Sequence, residues 1–245
     1  IVLVKKKLPE NKLRSKQIIP KMLNEVVTDV IEVGEVKLLV QRTDKARPAM
    51  PGMSVGHYKV TAGTFGALVK DANTGELLIL SNNHVLANAS DGRDGKCALG
   101  DDILQPGAYD GGTSSDVIAR LERFVTIAKN TTPARCSIAQ GIENCVNGVL
   151  KYIKPGYRLK FVKTGSAHNL VDAAVAKPIK PEYVTSKIFD LGELKGTVQP
   201  AIGMQVKKSG RTSGITSSEI KALDVVLRVM LGEGEEATFY EQILT

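Results

Sequence analysis

The fold is decided by residues 77–87, LLILSNNHVLA, in which a short apolar run leads straight into a polar turn and a histidine. The run LLIL has the length and composition of a buried β-strand. Before it come residues 65–69, FGALV, and residues 71–75, DANTG, whose residue types suit a hairpin turn. The two runs predict a β-hairpin whose second strand ends just before His84.

The rest of the composition fits a chain of many short strands. The chain has 245 residues, of which 42% are hydrophobic and 24% charged, and its 23 glycines and 10 prolines are scattered along it. Glycine and proline at such spacing are typical of tight turns between strands. This length suffices for one large β domain or two small ones with a sizeable core.

Charge and apolar content exclude some classes of partner. The formal net charge is +7, and seven of the basic residues lie within residues 5–21. No aromatic side chains interleave with them, so we expect a solvated basic face and no nucleic-acid partner. No apolar run is long enough to cross a membrane. The three cysteines show no zinc spacing, and we expect no cofactor and no metal, although Cys136 and Cys145 could pair.

Periodicity predicts two further features. Residues 1–45 indicate a small β-α-β element, with a strand at residues 1–7, a helix within residues 9–25 and strands within residues 26–40. Residues 133–153 place apolar side chains at helical spacing, which predicts a helix inserted between strands. Residues 88–112 are hydrophilic and glycine-rich and suggest a long excursion, and strands are expected at residues 117–127, 158–162 and 169–176.

His84 is the best candidate for a general base. A base must be held rigidly, and the end of a buried strand turning into a short helix does that. Such a base needs an acid to fix its tautomer. Asp172, in the apolar run of residues 169–176, NLVDAAVA, is the preferred acid, and Asp116 at the start of another strand is the alternative. A carboxylate in so apolar a run needs a partner.

These segments resemble those of trypsin-fold serine peptidases, particularly bacterial ones. Residues 81–87, SNNHVLA, are similar to the histidine segment of that family (T-N-N-H-V), and Asp172 lies in a segment similar to its D-x-A-V strand. Residues 203–216, GMQVKKSGRTSGIT, resemble its G-x-x-V-x-K-x-G-R-T-T-G-x-T segment. There Arg211 either binds an anion or a substrate carboxylate, or has a structural role.

The resemblance implies a mostly β fold, a chymotrypsin-like double β-barrel whose second barrel is incomplete, with the N-terminal β-α-β element and the inserted helix. The expected domains are residues 1–45 for the N-terminal element, 46–185 for the first barrel with His84 and Asp172, and 186–245 for the second barrel.

The implied activity is that of a serine endopeptidase acting on polypeptides, with His84 and Asp172 as catalytic residues. The family's G-D-S-G nucleophile segment is absent, and residues 237–245 end the chain in a predicted strand. We therefore expect the serine to follow Thr245 in a longer protein, and the chain as given to be inactive. The alternative is a catalytically inactive protein of this fold that binds or scaffolds peptides. Residues 1–45 could serve as a prosegment or lid.

Overall fold

The computed structural model of the protein describes residues 1–4, 6–33, 40–134, 136–232 and 234–245. Two compact units make up the chain, Ile1–Val40 and Gln41–Thr245. Of the strands predicted within residues 26–40, the run at residues 36–40 lies outside the described residues except for Val40. The predicted domain limits at residues 45 and 185 stay predictions.

The described strands are short until the last two. In chain order they are β1 (Val2–Val4), β2 (Met22–Leu23), β3 (Val26–Val27), β4 (Val30–Glu32), β5 (Ser54–His57), β6 (Gly63–Thr64), β7 (Ala67–Lys70), β8 (Leu77–Ser81), β9 (Asp102–Leu104), β10 (Val117–Phe124), β11 (Thr131–Pro133), β12 (Val162–Thr164), β13 (Ala174–Pro178), β14 (Gln205–Gly210), β15 (Gly214–Glu219), β16 (Ala222–Gly232) and β17 (Glu235–Leu244). The described α-helices are α1 (Asn83–Leu86) and α2 (Ser137–Ile153). The mostly β fold class is confirmed.

The strands around the candidate base form a barrel. Their order is β6-β5-β9-β10-β13-β8-β7, and every neighbouring pair is antiparallel. Strands β6 and β7 at the two ends of this order are separated in the chain only by Phe65 and Gly66. They are the two halves of one bent strand, so the sheet closes into a barrel without an open edge. Its interior is filled by buried apolar side chains, the largest being Phe65, Ile79, Leu86, Ile103, Ile118 and Leu121.

A second sheet follows, with the order β12-β11-β17-β16, and β14 pairs with β15 as a separate hairpin. The sheet has a small core of its own, in which Ile127, Ala237 and Phe239 are buried. The helix predicted within residues 133–153 is confirmed as α2, which lies between β11 and β12. The sheet joins β16 and β17, from the residues predicted for the second barrel, to β11 and β12, from the residues predicted for the first.

The N-terminal unit departs from the predicted β-α-β element. Strands β1 and β4 pair in parallel, as such an element requires. The connection between them is not the predicted α-helix; it consists of two 3₁₀ turns (Glu10–Lys12 and Ser15–Gln17) and the β2–β3 hairpin. The physical reason lies in the turn that joins β2 to β3, because Asn24 and Glu25 both adopt left-handed backbone angles, φ 48° and 67°. Two such residues make the tight turn that matches the twist of a hairpin, and they end any helix.

Two strand predictions and the predicted excursion are corrected in their limits. The excursion predicted at residues 88–112 contains β9, which is a member of the barrel between β5 and β10. The strand expected at residues 158–162 is observed at Val162–Thr164. The strand expected at residues 169–176 begins only at Ala174. Asp172 is therefore in the segment leading into β13 and free of the ladder's geometry, which lets its carboxylate turn toward a partner.

Candidate active site

The barrel topology brings His84 and Asp172 together. Strands β8 and β13 are antiparallel neighbours, and Ala174 at the start of β13 pairs with Ser81 at the end of β8. His84 follows Ser81 by three residues and Asp172 precedes Ala174 by two. Residues far apart in the chain thus meet at one end of one strand pair.

The two side chains are hydrogen-bonded to each other. Nδ1 of His84 contacts Oδ2 of Asp172, and the backbone N–H of His84 donates to Oδ1 at 3.3 Å. Nδ2 of Asn82 donates to the backbone carbonyl of Asp172 at 2.9 Å. A carboxylate only accepts, so in the neutral imidazole Nδ1 of His84 carries the proton and Nε2 keeps the lone pair. No hydrogen-bond partner of Nε2 occurs among the described residues.

Exposure divides the pair into a buried and an accessible member. The side chain of Asp172 is 17% exposed, whereas that of His84 is 51% exposed. The acid is shielded from water by the barrel end, while the imidazole presents its Nε2 edge to solvent. This arrangement can take a proton from a hydroxyl that approaches from outside and stabilise the resulting imidazolium.

Helix α1 is held against the barrel by packing as well as by polar contacts. Val85 and Leu86, which follow the exposed His84 in the chain, are buried in the core. Gly63 lies so close to Val85 that a Cβ at this position would come within 2.3 Å of the Val85 side chain. A glycine is therefore required at position 63 for the helix to seat.

Asp116, the alternative acid, is committed elsewhere. Its Oδ1 is 2.5 Å from Nζ of Lys45, and its Oδ2 accepts from the backbone N–H of Thr113 at 2.9 Å. The hydrogen bond from Lys45, followed by those from Thr113, lowers the pKa of Asp116 to about 2. The structure places Asp172, and not Asp116, against His84.

Arg211 is likewise engaged within the protein. Its Nε donates to Oδ2 of Asp110 at 2.7 Å, its Nη2 contacts Oδ1 of the same carboxylate, and its backbone N–H donates to Oγ1 of Thr64. The hydrogen bonds to Asp110 raise the pKa of the guanidinium. The contacts support the structural role for Arg211, as an anchor of the β14–β15 turn on the barrel.

The alternative in which Cys136 pairs with Cys145 is not observed. Cys97, Cys136 and Cys145 are all free thiols, and Cys136 caps α2 through a hydrogen bond from Ala139 N–H. His168, four residues before Asp172, stacks on the ring of Tyr240. In the part of the chain that the structure describes, no three histidine, cysteine or acidic side chains gather as metal ligands would.

Sequence reasoning missed a second histidine–aspartate pair, His57 with Asp101, and the buried side chain of Asn83 next to the candidate base. Nε2 of His57, whose side chain is fully buried, lies 2.9 Å from Oδ2 of Asp101. Asn83 is fully buried although it lies in a run of polar residues. A polar side chain directly beside a candidate base, in a segment whose neighbours are core residues, is the signal that could have identified Asn83.

Neither α1 nor α2 has the length and apolar character of a membrane span among the described residues. No protein-family model and no curated protein matches the chain. Solved structures similar to it include a glutamic acid-specific serine protease reported to use a histidine triad in substrate binding, with 14% identity, a TM-score of 0.42, and coverage of 80% of this chain and 71% of that one. Nocardiopsis protease (NAPase) is similar at 13% identity and a TM-score of 0.40, covering 79% and 69%. With TM-scores this low, a functional proposal has to rest on the site's own geometry.

Proposed function

We propose that this chain supplies the general base and the orienting acid of a serine endopeptidase, with His84 as the base and Asp172 as the acid. The observation that carries the proposal is the state of the imidazole. Asp172 takes Nδ1 of His84, while Nε2 faces solvent without a described partner. A general base needs one nitrogen fixed and the other open.

The chemistry follows from that arrangement. Nε2 of His84 removes the proton of a serine hydroxyl as its oxygen attacks a peptide carbonyl, and Asp172 stabilises the imidazolium that forms. The same proton then passes from Nε2 to the leaving amine, so that the peptide C–N bond breaks and an acyl-enzyme remains. Water attacks the acyl group by the same route, and the serine is regenerated. The substrate is a polypeptide.

The proposal includes a nucleophile from residues that follow Thr245. No described serine hydroxyl is hydrogen-bonded to His84, and two of those in the β14–β15 hairpin, Ser209 and Ser213, have other partners. Ser209 Oγ donates to the Phe189 carbonyl at 3.0 Å, and Ser213 Oγ accepts from Lys208 at 2.9 Å. A G-D-S-G segment beyond β17 would bring both the hydroxyl and the backbone N–H groups of an oxyanion hole.

A fluorophosphonate probe tests this proposal. We expect a protein extended past residue 245 to be labelled, the 245-residue chain to remain unlabelled, and His84→Ala to abolish labelling of the extended protein. His168→Ala is the matched control, since His168 is also exposed and stacks on Tyr240 instead of an acid. An extended protein that is not labelled, or whose labelling survives His84→Ala, would refute the proposal and favour a peptide-binding role.

A further inference from the structure

Residues 125–128, directly after β10, form a short backbone segment that contacts both parts of the chain that carry the candidate site. We call this segment the anchor segment, residues 83–90 the histidine arm and residues 169–173 the aspartate arm. Its Val125 N–H donates to the carbonyl of Ala173 at 2.9 Å, next to the candidate acid. Its Ile127 N–H donates to the carbonyl of Ser90 at 3.1 Å, just beyond the helix that carries the candidate base. The segment therefore touches the histidine arm and the aspartate arm.

The side chain of Asn83 ties the histidine arm to this segment. Asn83 is 0% exposed and directly precedes His84. Its Oδ1 accepts from Ser90 N–H at 3.0 Å, and its Nδ2 donates to the carbonyls of Ser90 at 3.0 Å and of Val125 at 2.6 Å. One carboxamide thus fixes both the turn after α1 and the anchor segment.

The side chain of Asn169 repeats this pattern on the aspartate arm. Asn169 is 6% exposed and lies three residues before Asp172. Its Oδ1 accepts from Ala128 N–H at 2.8 Å, and its Nδ2 donates to the carbonyls of Ala128 and Thr238, each at 2.9 Å. Both asparagines bind the N–H and the C=O of a single residue and one further carbonyl.

We propose that Asn83 and Asn169 are positioning residues, which keep His84 and Asp172 within hydrogen-bonding distance of each other by fixing both arms to the anchor segment. The inference rests on the proposed function, because it assigns the two amides a task in that site. A buried amide that has all its partners resists displacement, since moving it leaves donors and acceptors unpaired in a dry environment. Each arm is tied within three residues of its reacting or orienting side chain, so little slack remains between them.

The tautomer of His84 shows directly whether Asp172 is still hydrogen-bonded to the imidazole. With Asp172 in place, Nδ1 carries the proton; when the carboxylate moves away, the imidazole is free to return to the Nε2–H form that unpaired histidine prefers. A substitution that only lowers stability leaves this tautomer unchanged in the folded molecule. Gln105 is the matched control: its carboxamide is also 0% exposed and binds the backbone, at Ala46 N–H (3.0 Å) and the Asp44 carbonyl (2.8 Å), away from both arms.

The experiment uses the 245-residue chain with ¹⁵N-labelled histidine and long-range proton–nitrogen NMR spectra at alkaline pH. We expect His84 to be mostly Nδ1–H in the unsubstituted chain and in Gln105→Ala, and to shift toward Nε2–H in Asn83→Ala and in Asn169→Ala. Asn83→Ser and Asn169→Ser keep a neutral polar group and leave room for a water in place of the carboxamide, and they provide folded variants if the alanine substitutions unfold the chain. An unchanged His84 tautomer in the folded asparagine variants would overturn the inference.

An activity measurement on the extended protein separates this inference from the proposed function. Misplacing a reacting group by about 1 Å costs on the order of 100-fold in rate, so we expect the asparagine variants to lose about that factor in kcat with little change in KM. If the extended protein is never labelled while the tautomer shifts as expected, the endopeptidase proposal falls and the positioning role stands. If labelling occurs and both kcat and tautomer are unaffected by the asparagine substitutions, the positioning role falls alone.

Discussion

Two histidine–aspartate pairs are described in the larger unit, Gln41–Thr245. They differ in which ring nitrogen of the histidine is hydrogen-bonded to the aspartate. Asp172 takes Nδ1 of His84, and Nε2 has no described partner. Asp101 instead takes Nε2 of His57 at 2.9 Å, and Lys59 N–H donates to Nδ1 of His57 at 3.1 Å. Both nitrogens of His57 are occupied, so this ring has no lone pair to offer a substrate. A histidine paired with an aspartate is therefore not sufficient for a general base. One ring nitrogen of the histidine must also lack a hydrogen-bond partner.

The two pairs also differ in how far the histidine side chain is exposed. The side chain of His57 is 0% exposed and that of His84 is 51% exposed. Burial lowers the pKa of His57, and the hydrogen bond with Asp101 opposes this only in part. Burial also acts to raise the pKa of Asp101, but hydrogen bonds from Ala98 N–H and His57 together hold it below its usual range. The interior pair is a neutral imidazole on a carboxylate, suited to holding β5 against the loop before β9.

The largest expected difference between the pairs is in catalysis. In the extended protein, Asp172→Asn should reduce the rate of fluorophosphonate labelling by about 10⁴-fold, because an amide at this position favours the wrong tautomer of His84. Asp101→Asn should leave the rate per folded molecule unchanged, since Asp101 touches no reacting group. Rates are normalised to the folded fraction measured by circular dichroism. Equal losses in the two variants would erase the distinction drawn between the pairs.

For the free energy of unfolding, the larger effect is expected from the pair of His57 and Asp101. His57→Ala should lower the free energy of unfolding by roughly 2–4 kcal/mol, because it leaves a cavity in the barrel and an unpaired Asp101. His84→Ala should change it by about 1 kcal/mol or less, as expected for a half-exposed side chain that loses one hydrogen bond. Urea unfolding of the 245-residue chain gives both values. A larger loss for His84→Ala than for His57→Ala would contradict the assignment of His57 to the interior.

The two pairs also differ in how far sequence alone could predict them. Residues 77–87 indicated a strand and a turn into His84, and the family order pointed to Asp172, so the partners of the exposed pair were predicted although their separation in the chain is large. The local conformation of Asp172 was not, because an apolar run is compatible with a strand that starts at Asn169 or at Ala174. In the structure Asn169 forms an isolated bridge with Phe239 of β17, and pairing with β8 begins only at Ala174.

The interior pair had no comparable signal. His57 ends a strand of ordinary composition, and Asp101 lies in a glycine-rich stretch that was interpreted as a loop. The neighbouring β9 has only three residues, Asp102–Leu104, which is too short for a period of two to be recognised. Its place in the barrel depends on pairing with β5 and β10, and such long-range pairing is not encoded in any local pattern. In the N-terminal unit the predicted helix covers β2 while β3 lies within the residues predicted as strand, so only the first half of this hairpin is wrongly predicted.

The smallest expected effect is a difference in acid sensitivity. Because the folded pKa of His57 is lowered from 6.5, the unfolded chain binds more protons than the folded one in the window just below pH 6.5. Stability should therefore decline as the pH falls through that window, by at most about 1.4 kcal/mol per pH unit from this group. The lowered pKa of Asp101 affects stability only at a lower pH. The stability that this carboxylate contributes is fully present above its unfolded pKa of 3.8 and is lost as the pH falls below that value. Urea unfolding between pH 8 and pH 5, a range chosen to bracket the reference pKa of histidine at about 6.5, measures the slope.

His57→Gln isolates this contribution, because glutamine keeps a polar side chain but does not titrate. We expect the slope of unfolding free energy against pH to flatten in His57→Gln, whatever the change in absolute stability. His168→Gln removes a histidine that is exposed and stacked on Tyr240, and it shows what the loss of a surface imidazole does to the same slope. If His57→Gln retained the full slope while His168→Gln flattened it, the interior imidazole would have to be charged in the folded state. The ring could then no longer accept a hydrogen bond from Lys59 N–H, and the contrast between an occupied and an open imidazole would fail.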